Sequence, residues 1–446
     1  MTQLPPGPRT PRPIQTMAWI ARTGPFLERA RRRYGDVFSV RIAQEGVWVM
    51  LADPEHVRQV FTGDPKVFHA GEANAVLRPV LGDNSVLLLD EAEHMSQRKL
   101  LLPPFHGERM QRYGDTMREV ADREIARWPA GEPLELWPRM QAVTLEVIMR
   151  AVFGMEEGAR LERLRDCLRT TLDWATRPAQ MLLLALAGPD RVGRMPHFRG
   201  RFAPVDELLL DEIRRRRDDP RLDEREDIMS LLLRARHEDG SPMSDDELRD
   251  ELITLLVAGH ETTATALAWG IERLVRHPDK LERLREEALA GGDEWVDAVA
   301  KETLRLRPVI PIVVRRLTEP VEIGGWTLPE GVKVAPCIYL VHRHAGVYAP
   351  DPTAFRPERF LEQPAGTYTW IPFGGGVRRC IGGSFAVFEM KAVLAAIARS
   401  AVLRPVRPER ERVVRRAITM TPNRGAEVTV EPLAAATPGK QAKVAA

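Results

Sequence analysis

The chain has 446 residues, with 65 basic side chains against 63 acidic ones and a formal net charge of +2. A balance that even, spread along the whole length, argues against a dedicated nucleic-acid binder. Its three cysteines, Cys167, Cys337 and Cys380, show no CxxC spacing and suggest neither a disulfide framework nor a structural zinc site, and they are too few for an all-cysteine iron–sulfur cluster. That usage fits a reducing cytoplasm, and no secretory signal or apolar window of about eighteen residues is visible.

The chain opens on a proline-rich Leu4-Pro5-Pro6-Gly7-Pro8, after which residues 29–34 read as helix. Residues 37–42 and 47–51 alternate around Glu45-Gly46 and predict a hairpin. From Pro54 to about Ala290 the pattern is almost entirely helical, broken at Pro103-Pro104, residues 129–133, Gly188-Pro189 and Asp239-Gly240. The basic runs 31–33 and 214–217 read as solvated helix faces. Residues 310–341 alternate β-branched side chains around Gly324-Gly325 and predict a second β-rich stretch. Residues 348–376 are rich in Pro, Gly and aromatics, and are too long for a simple connection. A helix restarts after Cys380 and runs to about Ser400, and residues 434–446 read as a disordered tail. The expected class is mainly α with small β-sheets, without an internal repeat or a dividing linker.

Two segments carry chemistry. In Phe373-Gly374-Gly375-Gly376-Val377-Arg378-Arg379-Cys380-Ile381-Gly382 a cysteine follows glycines and arginines at the expected start of a helix. Helix-end N–H groups and neighbouring guanidinium charges favour a thiolate, so the thiol pKa is expected below its free value. The glycines allow close approach of the backbone to a flat cofactor. A phosphate loop would need Lys-Ser or Lys-Thr after its glycines, and a dinucleotide loop a strand leading into them; neither is present. This ten-residue pattern resembles the haem-binding signature of the cytochrome P-450 family, with every position filled. The resemblance implies haem b (iron protoporphyrin IX), with Cys380 as the iron ligand and Phe373 and Gly374 beside the cofactor.

The second segment lies inside a long helix, capped by Ser244 with Glu247 and running to about Arg276, where His277-Pro278 stops it. It is apolar nearly all round, as suits a helix through the centre of a globule. In its middle stands Ala258-Gly259-His260-Glu261-Thr262-Thr263, where a buried acid and hydroxyls are costly unless bonded or useful. A zinc-protease motif would need a second histidine where Ala264 stands, so that reading fails. A threonine that loosens the helix and a carboxylate that relays protons suit oxygen activation. The segment resembles the family's oxygen-activation motif, with Glu261 in place of the more frequent Asp; Ala258 then faces the cofactor, Thr262 steadies the dioxygen and Glu261 helps deliver protons.

Glu302 and Arg305 share a helix face and precede Phe355-Arg356-Pro357-Glu358-Arg359-Phe360. That order resembles the family's Glu-x-x-Arg and Pro-Glu-Arg-Phe pair, which implies that Glu302, Arg305 and Arg359 form a buried structural network. Asp90 with Glu93 reads as a helix start, and His94 and Arg98 then share a face. By the same resemblance His94, Arg98, Arg315 and Arg378 bind the haem propionates. His342-Arg343-His344 departs from the family's usual Asn-Arg-Asp.

The resemblance implies the family's triangular fold with a long central helix and a cysteine-ligand loop, as one catalytic domain over residues 1–433. It implies insertion of one oxygen atom of O2 into a lipophilic small molecule, by hydroxylation or epoxidation. Electrons then come from a separate donor, a ferredoxin or flavodoxin with its reductase, and no membrane span is expected. A peroxide-driven or isomerising haem-thiolate enzyme and a non-catalytic haem sensor are the alternatives. Residues 70–86, 171–186 and 309–313 are the expected substrate-shaping stretches, with the apolar run 181–186 a candidate entrance lining.

Overall fold

The computed structural model describes residues 4–105, 107, 109–154 and 158–432; the predicted tail lies outside them. Helices dominate, with four small sheets among the described residues. One large apolar cluster takes side chains from Leu81 to Val430. At its centre lies the helix Asp245–Leu274, whose capping box has both bonds in place: the Ser244 hydroxyl accepts from Glu247 N–H, and the Glu247 carboxylate accepts from Ser244 N–H. At about 1.5 Å per residue its thirty residues span about 45 Å. It packs on Leu136–Phe153, where Thr144 donates to the His260 carbonyl at 2.8 Å and Ile148 approaches Gly259 so closely that an added Cβ would lie 3.2 Å away.

The predicted hairpin exists, with Val37 opposite Leu51 and Ile42 opposite Gly46. Strand Gly46–Leu51 also pairs in parallel with Lys333–Pro336, which joins Arg315–Leu317 and through it Phe68–His69. The β-rich stretch is shorter than expected: Ile338–Val341 is a helical turn. Its four side chains are all buried, which gives the segment the apolar run of a strand, while the Tyr339 hydroxyl donates to Glu28 at 2.7 Å. Gly324 and Gly325, both at positive φ, turn the hairpin between Val321–Ile323 and Trp326–Leu328. A C-terminal β region went unpredicted. It comprises Ala401–Pro405 and Glu427–Pro432 in one sheet, and a hairpin of Val413–Arg416 with Thr419–Pro422. Trp269 of the central helix holds that hairpin by donating to the Met420 carbonyl at 2.7 Å.

The basic run 214–217 is corrected in one member. Arg216 is buried and binds Asp227, Ser230, Glu212 and the Phe153 carbonyl, so it fastens its helix inward. The expected Asp90 cap also differs. The Asp90 carboxylate turns away from its own helix, Glu91–Leu101, and accepts from the backbone N–H groups of Ala70, Gly71 and Glu72 at 2.8, 2.8 and 2.9 Å. No helix among the described residues is long and apolar enough to cross a membrane.

Candidate active site

A cavity of about 1280 Å³ opens between the central helix, the cysteine loop and the sheet edge. Its wall includes Cys380, Phe373, Gly374, Arg378, Ala258, Thr262, His94, Arg98 and Arg315, so most residues singled out from widely separated parts of the sequence line one space. Glu261 is absent from that wall.

The cysteine loop is shaped by glycines with no alternative. Gly374 and Gly376 have φ of +68° and +65°, a region that favours glycine. A Cβ on Gly375 would lie 2.2 Å from the Phe61 ring, and one on Gly376 2.0 Å from the Phe61 carbonyl oxygen. The loop closes on itself where Cys380 N–H donates to the Phe373 carbonyl at 3.0 Å. Cys380 is open toward the cavity while protein atoms crowd its other sides. Burial pushes the thiol up, against the opposing pull of the Gly382 N–H, Arg98 and Arg379. This corrects the expectation of a depressed thiol pKa. The regular helix begins only at Gly383, so the thiol sits before the helix end rather than on it, and the dipole falls off within a turn.

Around the same cavity basic groups outnumber acids. Arg378 is satisfied internally by Asp90 and the Leu89 and Val86 carbonyls. Among the described residues, however, no carboxylate pairs with Arg98 or Arg315, and Arg315 donates only to the neighbouring Val314 carbonyl at 2.9 Å. Burial, with Arg378 adding to it, lowers Arg315 to about 10, and burial lowers Arg98. His94 falls to about 3, through burial and the charges of Arg378, Arg98 and Arg315, so it is neutral. Buried cations without counter-ions are costly. They suit a ligand that brings two carboxylates. Together with a thiol open to the cavity and glycines that leave the loop backbone bare, the donor set fits a haem with its propionates.

On the opposite wall, the Thr262 hydroxyl donates to the Ala258 carbonyl at 2.6 Å. Glu261 points away, toward the C-terminal hairpin: its Oε1 lies 3.1 Å from the Thr419 hydroxyl and 3.8 Å from Arg416 Nε. Burial raises its carboxyl pKa. The Thr419 hydroxyl also lies 2.8 Å from the Arg416 carbonyl. With a single proton to give, the hydroxyl donates there and accepts from Glu261 when that acid is protonated.

Behind the cysteine loop, Arg305 and Glu302 are fully buried and doubly bonded, at 2.6 and 2.8 Å. Arg305 also donates to the carbonyls of His342, Pro352 and Ala354. Glu302 accepts from Arg356 N–H at 2.8 Å and from Arg359 Nε at 3.2 Å. Sequence reasoning left His342 without a role. It is fully buried, its Nδ1 lies 3.1 Å from the Arg305 carbonyl, and its Nε2 accepts from Ile371 N–H at 2.8 Å. It thus ties this network to the strand of chain entering the cysteine loop. Burial and the Arg305 and Arg343 charges keep its pKa well below the ordinary histidine value. The non-family His at this position was the available signal.

Comparisons with known proteins agree with this geometry. The family model for cytochrome P-450 matches residues 5–425. The protein named cytochrome P-450 135B1 of Mycobacterium tuberculosis (strain H37Rv) is 45% identical over 438 residues, covering 96% of this chain and 91% of the relative. Cytochrome P-450 135A1 of the same strain is 39% identical, covering 97% and 96%. Among solved structures, retinoic acid-bound cyanobacterial CYP120A1 superposes with a TM-score of 0.81 at 23% identity, covering 97% of this chain and 100% of that one. The cytochrome P450DA haem domain does so at 0.81 and 25%, covering 97% and 99%. With a family match over nearly its whole length and relatives this similar, the chain belongs to the cytochrome P-450 family.

Proposed function

We propose that residues 1–433 act as one catalytic unit, a cytoplasmic monooxygenase that inserts one oxygen atom of O2 into a lipophilic small molecule, with electrons from a separate ferredoxin or flavodoxin and its reductase. The observation that carries this is the meeting of Cys380, the uncompensated Arg98 and Arg315, and Thr262 in one cavity. Cys380 would hold the iron of haem b, Phe373, Gly374 and Ala258 would lie against the cofactor, and Arg98, Arg315, Arg378 and His94 would hold its propionates. Bound haem supplies the oxidising chemistry, with the thiolate ligand favouring O–O cleavage. Thr262 presents a hydroxyl at the cavity wall. Glu261, held near Thr419 and Arg416 with burial raising its carboxyl pKa, would be the acid that helps deliver protons to this part of the helix. Glu302, Arg305 and Arg359 act by fixing the loop that carries Cys380.

The acid–threonine pair favours this reading over a peroxide-driven enzyme or a haem sensor, neither of which needs proton delivery at that wall. Two measurements test it. Reduced, carbon-monoxide-treated protein should show the absorption maximum of thiolate ligation, and Cys380→Ser should lose it. Thr262→Ala, supplied with purified redox partners, should consume reductant with about tenfold less product per electron. Unchanged coupling in that variant would remove the proposed role of Thr262.

A further inference from the structure

The cavity has a second polar patch, away from the cysteine, where the C-terminal hairpin meets the N-terminal helix Arg12–Ala21. Arg415 lines the cavity there and packs its guanidinium over the Trp19 ring, 4.7 Å from the centroid. Its Nε donates to the Ala417 carbonyl at 2.8 Å, while Nη1 is buried without a hydrogen-bond partner among the described residues. Trp48 meets Trp19 edge to face, with ring centroids 5.6 Å apart, and its indole Nε1 is likewise buried and unpartnered among the described residues. Both of these atoms are sealed from the cavity, whereas Nη2 of Arg415 is neither buried nor hydrogen-bonded among the described residues, so it is the part of the guanidinium that a ligand in the cavity can meet.

The acids nearby are already engaged. Asp173 pairs with Arg416 at 2.9 Å, and Glu45 pairs with Lys333. Arg416 is thereby neutralised, and Arg177, the other cation on this part of the wall, is exposed to solvent. One buried positive charge is left over, on Arg415. Burial alone lowers its pKa, to about 10, so it remains charged with no acid contributing. The same cavity wall carries apolar side chains such as Ile312, Val314 and Leu87.

We infer that Arg415 is a specificity-determining anchor for a carboxylate on the substrate, so that the lipophilic molecule taken by this enzyme is a carboxylic acid held by its acid group away from the reacting end. The leftover charge is single, which matches a monoanion. With Nε engaged by Ala417 and Nη1 sealed off, the guanidinium offers its Nη2 N–H groups as charge-assisted donors to a carboxylate oxygen. This inference deepens the monooxygenase reading and rests on it for the identity of the reacting end.

The test uses the haem-loaded full chain and calorimetric titration with dodecanoic, hexadecanoic and octadecanoic acids, each against its primary alcohol and methyl ester. At least one acid should bind about tenfold or more tightly than its alcohol and ester, as one charge-assisted pair predicts. In R415Q that preference should shrink to within about twofold. The inference is overturned if no acid outbinds its alcohol, or if R415Q keeps the preference. The carbon-monoxide spectrum of the same preparations reads the haem–thiolate assignment separately. Acid preference with an absent thiolate maximum would sink that assignment and leave the anchor standing. An intact maximum without acid preference would do the reverse.

Discussion

Two clusters of buried arginine lie on either side of the cysteine loop, and they differ in how their charge is answered. Around Glu302 every donor of Arg305 has an acceptor within the chain, and Arg359 shares the same carboxylate. Around His94 and Arg98 the protein supplies Asp90, which is taken up by Arg378, and leaves Arg98 and Arg315 without acids among the described residues. The first cluster is complete as the chain folds, which suits the mechanical purpose proposed for it. The second is finished only by something that arrives with negative charge. Internal compensation is therefore the feature that distinguishes two arginine clusters proposed as scaffold and as binding site.

The contrast is broken or sharpened by substitution. The largest effect is expected for Glu302→Ala, which strands Arg305 and Arg359: about 3–5 kcal/mol of stability, read as insoluble or haem-free protein and a lowered denaturant midpoint. Normal haem content in that variant would erase the distinction. Arg98→Ala should behave oppositely. The haem-free protein should unfold within about 1 kcal/mol of the parent, because a cation without a partner is removed, while haem affinity falls about tenfold or more. An apo-protein as damaged as Glu302→Ala would place Arg98 in the scaffold.

The smallest effect concerns His342. Its folded pKa lies well below the ordinary value, while the unfolded chain titrates near about 6.5. The unfolded state therefore binds the extra proton first, so the stabilisation is present above about pH 6.5 and is lost as pH falls. The slope approaches about 1.4 kcal/mol per pH unit. His342→Gln should flatten the fall in unfolding free energy from urea titrations between pH 6 and 5 by about that slope. His260, lowered to about 4, and His94, at about 3, should keep a residual slope of the same sign. An unaltered slope would mean that His342 is not held neutral.

What could be read in the sequence follows from how local each signal is. Cys380 with its glycines, the Ser244 cap and the polar break at residues 258–263 are contiguous patterns, and each leaves its mark within a few residues. Long-range partners leave no such mark. Asp90 has the spacing of a helix cap, yet its carboxylate is claimed by the turn at residues 70–72 and by Arg378. The run 214–217 looked solvent-facing because nothing local reveals that Asp227 and Ser230 wait for Arg216. The thiol of Cys380 was misjudged because the pattern fixes its neighbours but not the depth of its burial. Arg415 escaped notice for a related reason. One arginine in a short hairpin is unremarkable until Trp19, from the other end of the chain, is seen against it.

The parallel pairing of Gly46–Leu51 with Lys333–Pro336 has a consequence for how the molecule forms. Glu45 and Lys333, which pair across it, are 288 residues apart in the chain. The hairpin 37–51 can close through neighbours alone, but its third strand must be delivered by a segment made long afterwards. The entropy of so wide a closure is modest, since each doubling of a loop adds only about 0.6 kcal/mol, whereas the wait for distant partners slows assembly. Until that segment docks, the hairpin has a bare edge with nothing of its own to cover it, and the time spent in that state is when the nascent chain is most open to mispairing.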